Sequence, residues 1–210
     1  MSNISIIGTG NMASALASRA LAGGNAVEIV GRDPAAAKEL AAALDGATVG
    51  TPGTTPAGDI VVVAVPYASA ASVVSAYGDV LRGKVIVDIT NPVTPDFSGF
   101  VTPEGSSGAQ EIAKAAPAGA HLVKAFNTLY SHVLAAGPVE GRPLDVFIAG
   151  DDEQAKARVS GFIDSLGMRP LDAGPLRMAR ALENVGLLSL SLMTHSIKHA
   201  NFAFGVSILS

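Results

Sequence analysis

The sequence contains no cysteine and no tryptophan, and only 5% of its 210 residues are aromatic. Without cysteine, the chain has no disulfides, no thiolate metal sites, no iron–sulfur clusters and no cysteine nucleophile. Redox chemistry in this chain would therefore need a bound cofactor.

Charged residues are also scarce, at 15% of the chain, and the formal net charge is -4 with a pI of about 5.5. No lysine and arginine run is present to contact a phosphate backbone, so no nucleic-acid partner is expected. The longest apolar runs, such as residues 60–65, are far shorter than the roughly 20 residues that span a bilayer. The amino terminus enters a strand without the basic segment and cleavage site of a signal peptide. We therefore expect a cytoplasmic protein with no membrane partner.

Hydrophobic residues are abundant, at 49% of the chain with a mean hydropathy of +0.40. They fall in short runs that alternate with alanine-rich helical stretches, the pattern of repeated βα units around a mostly parallel sheet. We therefore predict an α/β fold of the Rossmann type, doubly wound, with all strand carboxyl ends at one edge, where such folds bind ligands. Strands are predicted at residues 3–8, 26–31, 59–65, 84–89, 121–125, 145–150 and 169–172.

The pattern becomes helical after Gly174, and no further βα unit is recognisable. We therefore predict a dinucleotide-binding domain over residues 1–174 and a small C-terminal helical appendage over residues 175–210. This appendage is strongly apolar at 185–193 and again at 202–206, and such a patch usually marks an interface. We expect it to complete the acceptor site, to form the interface of a homodimer, or to do both. The alternative is that it folds back over an edge of its own domain.

The first predicted strand turns through two glycines into a helix, with the G-x-G-x-x-A spacing of a dinucleotide-binding turn. Gly8 permits the tight turn, Gly10 lets the backbone approach a pyrophosphate, and Ala13 allows the helix to pack closely on the strand. Unpaired N–H groups and the helix dipole favour an anion at this helix start. The candidate pyrophosphate-binding residues are Gly8, Thr9, Gly10, Asn11, Met12 and Ala13.

The end of the second predicted strand indicates which nicotinamide cofactor is bound. NAD enzymes usually carry a ribose-binding carboxylate there, whereas this chain has Gly31 followed by Arg32. A missing acid and an adjacent guanidinium favour a 2′-phosphate, so NADP is predicted over NAD. Asp33 does not restore the acid, because Pro34 and a helix follow it and its carboxylate is interpreted as an N-cap. The alternative for Arg32 is a solvated surface arginine.

Three further strand ends carry candidate site residues. The strand at 59–65 is followed by Tyr67, whose ring would cover the cofactor or, equally, pack on the next helix. The amide of Asn91 is a candidate partner for the nicotinamide ribose or carboxamide. After the strand at 121–125, an aromatic, an amide and a hydroxyl come together, which suits a planar ring system. The candidates at these strand ends are Val65, Pro66, Tyr67, Asn91, Ala125, Phe126, Asn127 and Thr128.

Taken in order, these segments resemble the NADP oxidoreductases that depend on the deazaflavin coenzyme factor-420. The resemblance implies direct hydride transfer between NADP(H) and a flavin-like ring, with no obligatory acid–base side chain. It implies that residues 8–13 hold the pyrophosphate, Arg32 holds the 2′-phosphate, and the two rings meet at residues 125–128. The segments that carry it are Gly8–Met12, Gly31–Arg32, Val65–Pro66, Lys124–Thr128, Ala149–Asp152 and Asp172–Leu176.

Several alternatives remain open at this stage. Archaeal deazaflavin reductases have a histidine where this chain has Asn127, and the Ala-Phe-Asn-Thr form also resembles the cytoplasmic domain of flavin-using metalloreductases. An ordinary flavin, or a small carbonyl or imine, is therefore an alternative acceptor. The glycine turn also resembles that of pyrroline-5-carboxylate reductase, although only about 36 residues follow Gly174, too few for the long helical domain of that family. A non-catalytic NADP sensor is the third interpretation.

No metal site is expected from the sequence. His195 and His199 lie four residues apart on a predicted helix and would share one of its faces. A zinc site needs three or four protein ligands, and no third ligand lies nearby in the sequence.

Overall fold

The computed structural model describes residues 1–138 and 143–209, and a single eight-stranded sheet runs through it. The strands are β1 (Asn3–Ile7), β2 (Ala26–Val30), β3 (Ala47–Val49), β4 (Ile60–Val63), β5 (Val85–Asp88), β6 (His121–Lys124), β7 (Asp145–Gly150) and β8 (Arg169–Asp172). Their order across the sheet is β3-β2-β1-β4-β5-β6-β7-β8. The order reverses between β1 and β4, which makes this the topological switch point of the fold.

Helices cover both faces of the sheet. They are α1 (Asn11–Ala22), α2 (Pro34–Ala43), α3 (Tyr67–Tyr77), α4 (Gly108–Ala113), α5 (Ser131–Ala136), α6 (Glu153–Ser165) and α7 (Ala179–Leu192). One apolar cluster packs α1, α2, α5 and α6 on one face, and a second packs α3, α4 and the start of α7 on the other. This arrangement confirms the predicted doubly wound, Rossmann-type fold with helices at the C-terminus.

The central strands are buried because helices cover them on both sides. All four residues of β4, Ile-Val-Val-Val, are buried, as expected for a strand inside a parallel sheet. β1 pairs in parallel with both β2 and β4, so that Ile7 lies opposite Val30 and Val63. The carboxyl ends of these three strands therefore reach the same edge together.

The last two strands run in the opposite direction to the others, which corrects the expectation that all strand carboxyl ends share one edge. β7 pairs antiparallel with β6, and β8 pairs parallel with β7. The intervening α5 has only six residues and packs against α1. Over the described residues between β6 and β7, no helix carries the chain back to the opposite edge of the sheet. β7 therefore begins at the edge where β6 ends and runs antiparallel to it.

The C-terminal segment packs on the sheet and on α4. α7 lies against α4 and β7, and Met193–Ile197 extends it as a π-helical turn. Beyond it, the tail reaches the start of β7, where Asp145 accepts a hydrogen bond from the amide of Val206 at 2.7 Å. No helix among residues 1–138 and 143–209 is long and apolar enough to cross a membrane.

Candidate functional site

A cleft of about 540 Å³ opens at the topological switch point. It is bordered by the residues that follow β1, β2 and β4, and by part of α3. Ligands of doubly wound sheets bind at this position, outside the carboxyl ends of the strands. Of the residues predicted for the cofactor, Gly8, Thr9, Gly10, Gly31, Arg32, Val65 and Pro66 line this cleft.

The two glycines of the turn after β1 have different environments. Gly8 has a φ of +134°, and a Cβ built on it would overlap the carbonyl oxygen of Ala64 at the end of β4. Gly10 is the N-cap of α1 with an ordinary φ of -81°, and no side chain caps that helix. A Cβ built on Gly10 meets nothing within 4 Å. The uncapped start of a 12-residue helix, open to the cleft, fits a pyrophosphate.

The remaining residues of the turn connect this site to the core. Asn11 is exposed at the first position of α1, and Met12 is half-buried against the main apolar cluster. Ala13 is fully buried, as a helix that packs closely on the sheet requires. The sequence expectation for Ala13 therefore agrees with its position.

Position 31, directly after β2, has no room for a carboxylate-bearing side chain. A Cβ on Gly31 would lie 2.8 Å from Thr9 Cγ2 and 3.1 Å from Ala37 Cβ. The Asp33 carboxylate caps α2 by accepting a hydrogen bond from the amide of Ala35, in the first turn of the helix, at 2.9 Å, which confirms its interpretation as an N-cap. Arg32 is exposed at the cleft. Asp33 also lines the cleft, so at this strand end the cleft offers a guanidinium beside a carboxylate that caps α2.

A loop over residues 50–58 also contributes to the cleft, and the sequence analysis did not identify it. Its Pro52 and Gly53 are among the lining residues. Two strand residues anchor this loop. The carboxylate of Glu28 accepts hydrogen bonds from Ser5 Oγ and, at 3.0 Å, from the amide of Ala57. Ser5 Oγ in turn accepts a hydrogen bond from the amide of Gly58 at 2.8 Å. A polar Ser5 and a charged Glu28 within two apolar strands were the sequence signal for this anchor.

The predicted ring-binding amides are brought together at the ends of β5 and β6. Asn127 Nδ2 donates to Asn91 Oδ1 at 2.9 Å, and Asn91 Nδ2 donates to the carbonyl of Asn127 at 2.7 Å. Asn127 Nδ2 also donates to the carbonyl of Leu182 in α7 at 2.9 Å. Asn127 Oδ1 is buried and has no hydrogen-bond partner among the residues that the structure describes. The pair therefore has a fixed orientation and one unused acceptor.

The Phe126 side chain does not reach this site, which corrects the expectation that it positions a ring. Its ring is 1% exposed and packs edge-to-face on Phe162 of α6, with centroids 6.1 Å apart. The backbone of Phe126 has a φ of +60°, a conformation that bulky residues rarely adopt. This backbone turn directs Phe126 into the core while the next residue, Asn127, meets Asn91. Ala125 and Thr128 are buried on either side.

Tyr67 points toward α4 and is not among the residues that line the cleft. It is half-buried, and its Cε2 lies 3.0 Å from the position that a Cβ on Gly108 would take. Burial, and then the nearby carboxylates led by Glu111, raise the pKa of the Tyr67 hydroxyl. Of the two interpretations of Tyr67, packing on a neighbouring helix is the one that this geometry favours.

A buried charge cluster lies at the same edge, and the sequence analysis did not identify it. Lys124 Nζ lies 2.7 Å from Asp88 Oδ2 and 3.2 Å from Glu183 Oε1, and all three side chains are fully buried. Lys124 also donates to the carbonyl of Thr90. The cluster joins β5, β6 and α7 next to the asparagine pair. The sequence signals for it were two charged residues in apolar strands, Lys124 in the strand at 121–125 and Asp88 in the strand at 84–89.

Metal-binding residues are not grouped in this structure. Over residues 1–138 and 143–209, no three histidine, aspartate or glutamate side chains are placed to hold an ion. The helical segment ends at Ile197, and Lys198 adopts the left-handed conformation. His199 therefore lies beyond the helix, and the predicted shared face with His195 does not form.

Comparison with known proteins shows what this chain resembles. The family of NADP oxidoreductases described as coenzyme F420-dependent matches residues 3–92. The F420-dependent NADP reductase of Methanocaldococcus jannaschii is 28% identical over 159 residues, which cover 72% of this chain and 68% of that protein. A solved structure from Arthrobacter sp. FB24, provisionally assigned as an F420-dependent NADP reductase, is 26% identical with a TM-score of 0.87, covering 99% of this chain and 100% of that one. The chain is thus similar to this family over residues 3–92, which are fewer than half of its 210 residues.

A second relative is similar over the site but much longer. Metalloreductase STEAP3 of Rattus norvegicus is 32% identical over 189 residues, which cover 88% of this chain and 36% of that protein. The chain thus spans about a third of this relative's length. The family match ends at residue 92, so it includes the cleft and Asn91, whereas Asn127 and α7 lie beyond it.

Proposed function

We propose that this chain transfers a hydride between NADP(H) and a deazaflavin or flavin-like ring. The observation that carries the proposal is the order of groups along one edge of the sheet. From β2 to β6, this edge carries Arg32, the glycine turn and the end of β4, which line the cleft, and then the Asn91–Asn127 pair, which is not part of the cleft lining. The 2′-phosphate, pyrophosphate and nicotinamide of an extended NADP molecule follow one another in the same order. Four strand spacings separate the two ends, about 19 Å in total.

At the nucleotide end, backbone groups and one arginine would hold the phosphates. The uncapped start of α1 offers N–H groups to the pyrophosphate, and the missing Cβ of Gly10 leaves the approach open. Arg32 would pair with the 2′-phosphate, because a guanidinium matches phosphate geometry with two parallel hydrogen bonds. The crowding around Gly31 excludes a carboxylate at that position, and one oxygen of the Asp33 carboxylate is already used as the cap of α2.

At the ring end, the asparagine pair would orient the nicotinamide. A buried oxygen without a partner costs about 1–3 kcal/mol, and a carboxamide N–H that reached Asn127 Oδ1 would remove this cost. When bound, NADPH supplies the hydride from its nicotinamide ring. The residues of this chain bind and orient the ring, because hydride transfer needs the reacting atoms held at near-attack distance.

The acceptor is proposed to be a planar, flavin-like ring. The relatives that are named F420-dependent NADP reductases support a deazaflavin. Similarity to a metalloreductase, together with the Ala-Phe-Asn-Thr segment, supports an ordinary flavin as the second candidate. An aerobic and anaerobic screen of NADPH oxidation against deazaflavin, FMN, FAD, ferric chelates and simple imines distinguishes them. NADPH binding without oxidation by any acceptor would instead indicate a non-catalytic sensor.

Replacement of Asn127 tests the ring end of this proposal. Asn127→Ala should lower the single-turnover rate of NADPH oxidation by about tenfold or more, because the ring loses its orienting contact. The affinity for NADPH should fall less, since the phosphate contacts are intact. Asn184→Ala is a matched control, because Asn184 is exposed on α7. If Asn127→Ala kept its rate and lost only thermal stability, Asn127 would be a buried turn residue and the acceptor would bind elsewhere.

A further inference from the structure

Glu183 is a fully buried carboxylate in α7 that contacts two other elements, β6 and α4. Its Oε1 lies 3.2 Å from Lys124 Nζ of β6. It also accepts hydrogen bonds from the first two amides of α4, those of Gly108 at 3.1 Å and Ala109 at 3.3 Å. Arg180, one turn earlier in α7, lies 3.9 Å from Glu183 Oε2. The Glu183 side chain therefore fixes the position of α7 on the sheet edge.

The same part of α7 contacts the asparagine pair directly. Leu182, the neighbour of Glu183, offers its carbonyl to Asn127 Nδ2 at 2.9 Å. Gly186 faces the other amide so closely that a Cβ there would lie 2.6 Å from Asn91 Oδ1. A shift of α7 would therefore move one partner of Asn127 and alter the space around Asn91.

The charge cluster also holds the strand ends from which the two asparagines project. Lys124 Nζ donates to Asp88 Oδ2 at 2.7 Å and to the carbonyl of Thr90, the residue before Asn91. Asp88 in turn accepts from the amide of Thr90 at 2.8 Å. Lys124 itself lies three residues before Asn127. Loss of the Glu183 charge would thus disturb both amides through Lys124.

We propose that Glu183 is a positioning residue: from α7 it holds the Asn91–Asn127 pair in the orientation that the nicotinamide end of NADPH requires. This inference rests on the proposed function. Stability alone does not account for the cluster, because apolar residues of similar volume in place of buried ion pairs are often as stabilising or more so. Charged groups fix hydrogen-bond directions that apolar packing would leave free.

The test compares two ligands in wild type and in Glu183→Gln. 2′,5′-ADP carries the adenosine half and the 2′-phosphate, whereas NADPH also carries the nicotinamide. Titration calorimetry should give an unchanged affinity for 2′,5′-ADP and a loss of roughly 3- to 10-fold for NADPH, equivalent to one or two hydrogen bonds. Stopped-flow single-turnover oxidation of NADPH should slow by about tenfold or more.

Two further variants separate positioning from folding. Gly186→Ala leaves all the charges in place, and its new methyl group would displace the side chain of Asn91. The helix should remain intact, because alanine is a better helix former than glycine by about 1 kcal/mol. Gly186→Ala should reproduce the selective loss for NADPH even if Glu183→Gln does not fold. Asp145→Asn is the matched control, since Asp145 is also a buried carboxylate in an ion pair, with Arg169. It should lower the melting temperature and leave both affinities and the rate unchanged.

Each outcome decides between the inference and the proposed function. If wild type prefers NADPH to 2′,5′-ADP but Glu183→Gln and Gly186→Ala keep this preference and the rate, the inference is wrong and the function stands. Equal losses for both ligands would also overturn the inference, because they indicate a general structural role. If wild type binds NADPH no better than 2′,5′-ADP and oxidises it with no acceptor, the proposed function fails together with the inference.

Discussion

Gly8 and Gly10 stand two residues apart in one turn, and the structure gives them different roles. Gly8→Ala should destabilise the fold by about 2–4 kcal/mol, because its φ of +134° and the overlap with Ala64 strain any side chain.

Gly10→Val should leave the melting temperature nearly unchanged and weaken NADPH binding by roughly tenfold or more, because the side chain fills the pyrophosphate approach. Thermal melts and NADPH titrations check both variants. Unchanged NADPH affinity in Gly10→Val would refute the assignment of the glycine turn.

Arg32 is the residue on which the choice of NADP depends. Arg32→Ala should weaken NADPH binding by about 10- to 100-fold, the loss of a charge-assisted contact worth roughly 1.5–3 kcal/mol. NADH, which lacks the 2′-phosphate, should bind as before. Arg158→Ala is the control, because Arg158 is exposed on α6 and does not line the cleft. Equal losses for NADPH and NADH would make Arg32 a structural residue.

Single residues could be predicted where a local pattern determines their role. The glycine turn, Arg32 and the two asparagines follow strands in the sequence, and each lies at the strand-end edge. Phe126 also follows a strand, but its left-handed backbone turns it into the core, and no local pattern indicates that turn. Glu183 could not be predicted because its partners lie 59 to 75 residues away, on elements that meet it only in the folded chain.

Among the elements, the buried parallel strands were predicted to within two residues at their ends, because they form apolar runs with polar turns on either side. β3 was missed because it has three residues and is largely exposed at the edge of the sheet. The reversed direction of β7 and β8 was missed because a strand has the same residue pattern in either direction. Seven of the eight strands were thus predicted, whereas the direction of two was not.

The contact between the C-terminal tail and β7 should depend on pH. The ion pair with Arg169 holds the pKa of Asp145 below its ordinary value of 3.8. A carboxyl with a lowered pKa in the folded state stabilises that state above its ordinary pKa, and this contribution is lost as the pH falls through the lowered value. Asp145 also accepts from the amide of Val206, so the tail should detach in that range.

Hydrogen exchange at neutral pH tests the same contact without acid. Asp145→Asn should speed exchange of the Val206 amide, because the acceptor loses its charge and its pairing with Arg169. Asp79→Asn serves as the control, since Asp79 pairs with Arg82 on the surface and lies far from the tail in sequence. Unchanged protection of Val206 in Asp145→Asn would show that other contacts hold the tail.

At the scale of the whole molecule, the fold brings the candidate site residues to one edge of the sheet, and the proposed reaction follows from what lies along it. The expected homodimer and the domain boundary at residue 174 stay predictions. Leu188, at the middle of the apolar stretch in α7, is 47% exposed in the single chain. α7 already contributes to the ring end within one chain, through Leu182 and Gly186.

The central claim is direct hydride transfer from NADPH to a ring acceptor, and isotope transfer tests it most directly. NADPH deuterated at the transferred position of the nicotinamide is mixed without oxygen with this protein and the deazaflavin, and the reduced ring is analysed by mass spectrometry. We predict that the deuterium appears on the deazaflavin and that the single-turnover rate shows a primary isotope effect. Reduced deazaflavin that carries only solvent hydrogen, or bound NADPH that no acceptor oxidises, would contradict the account.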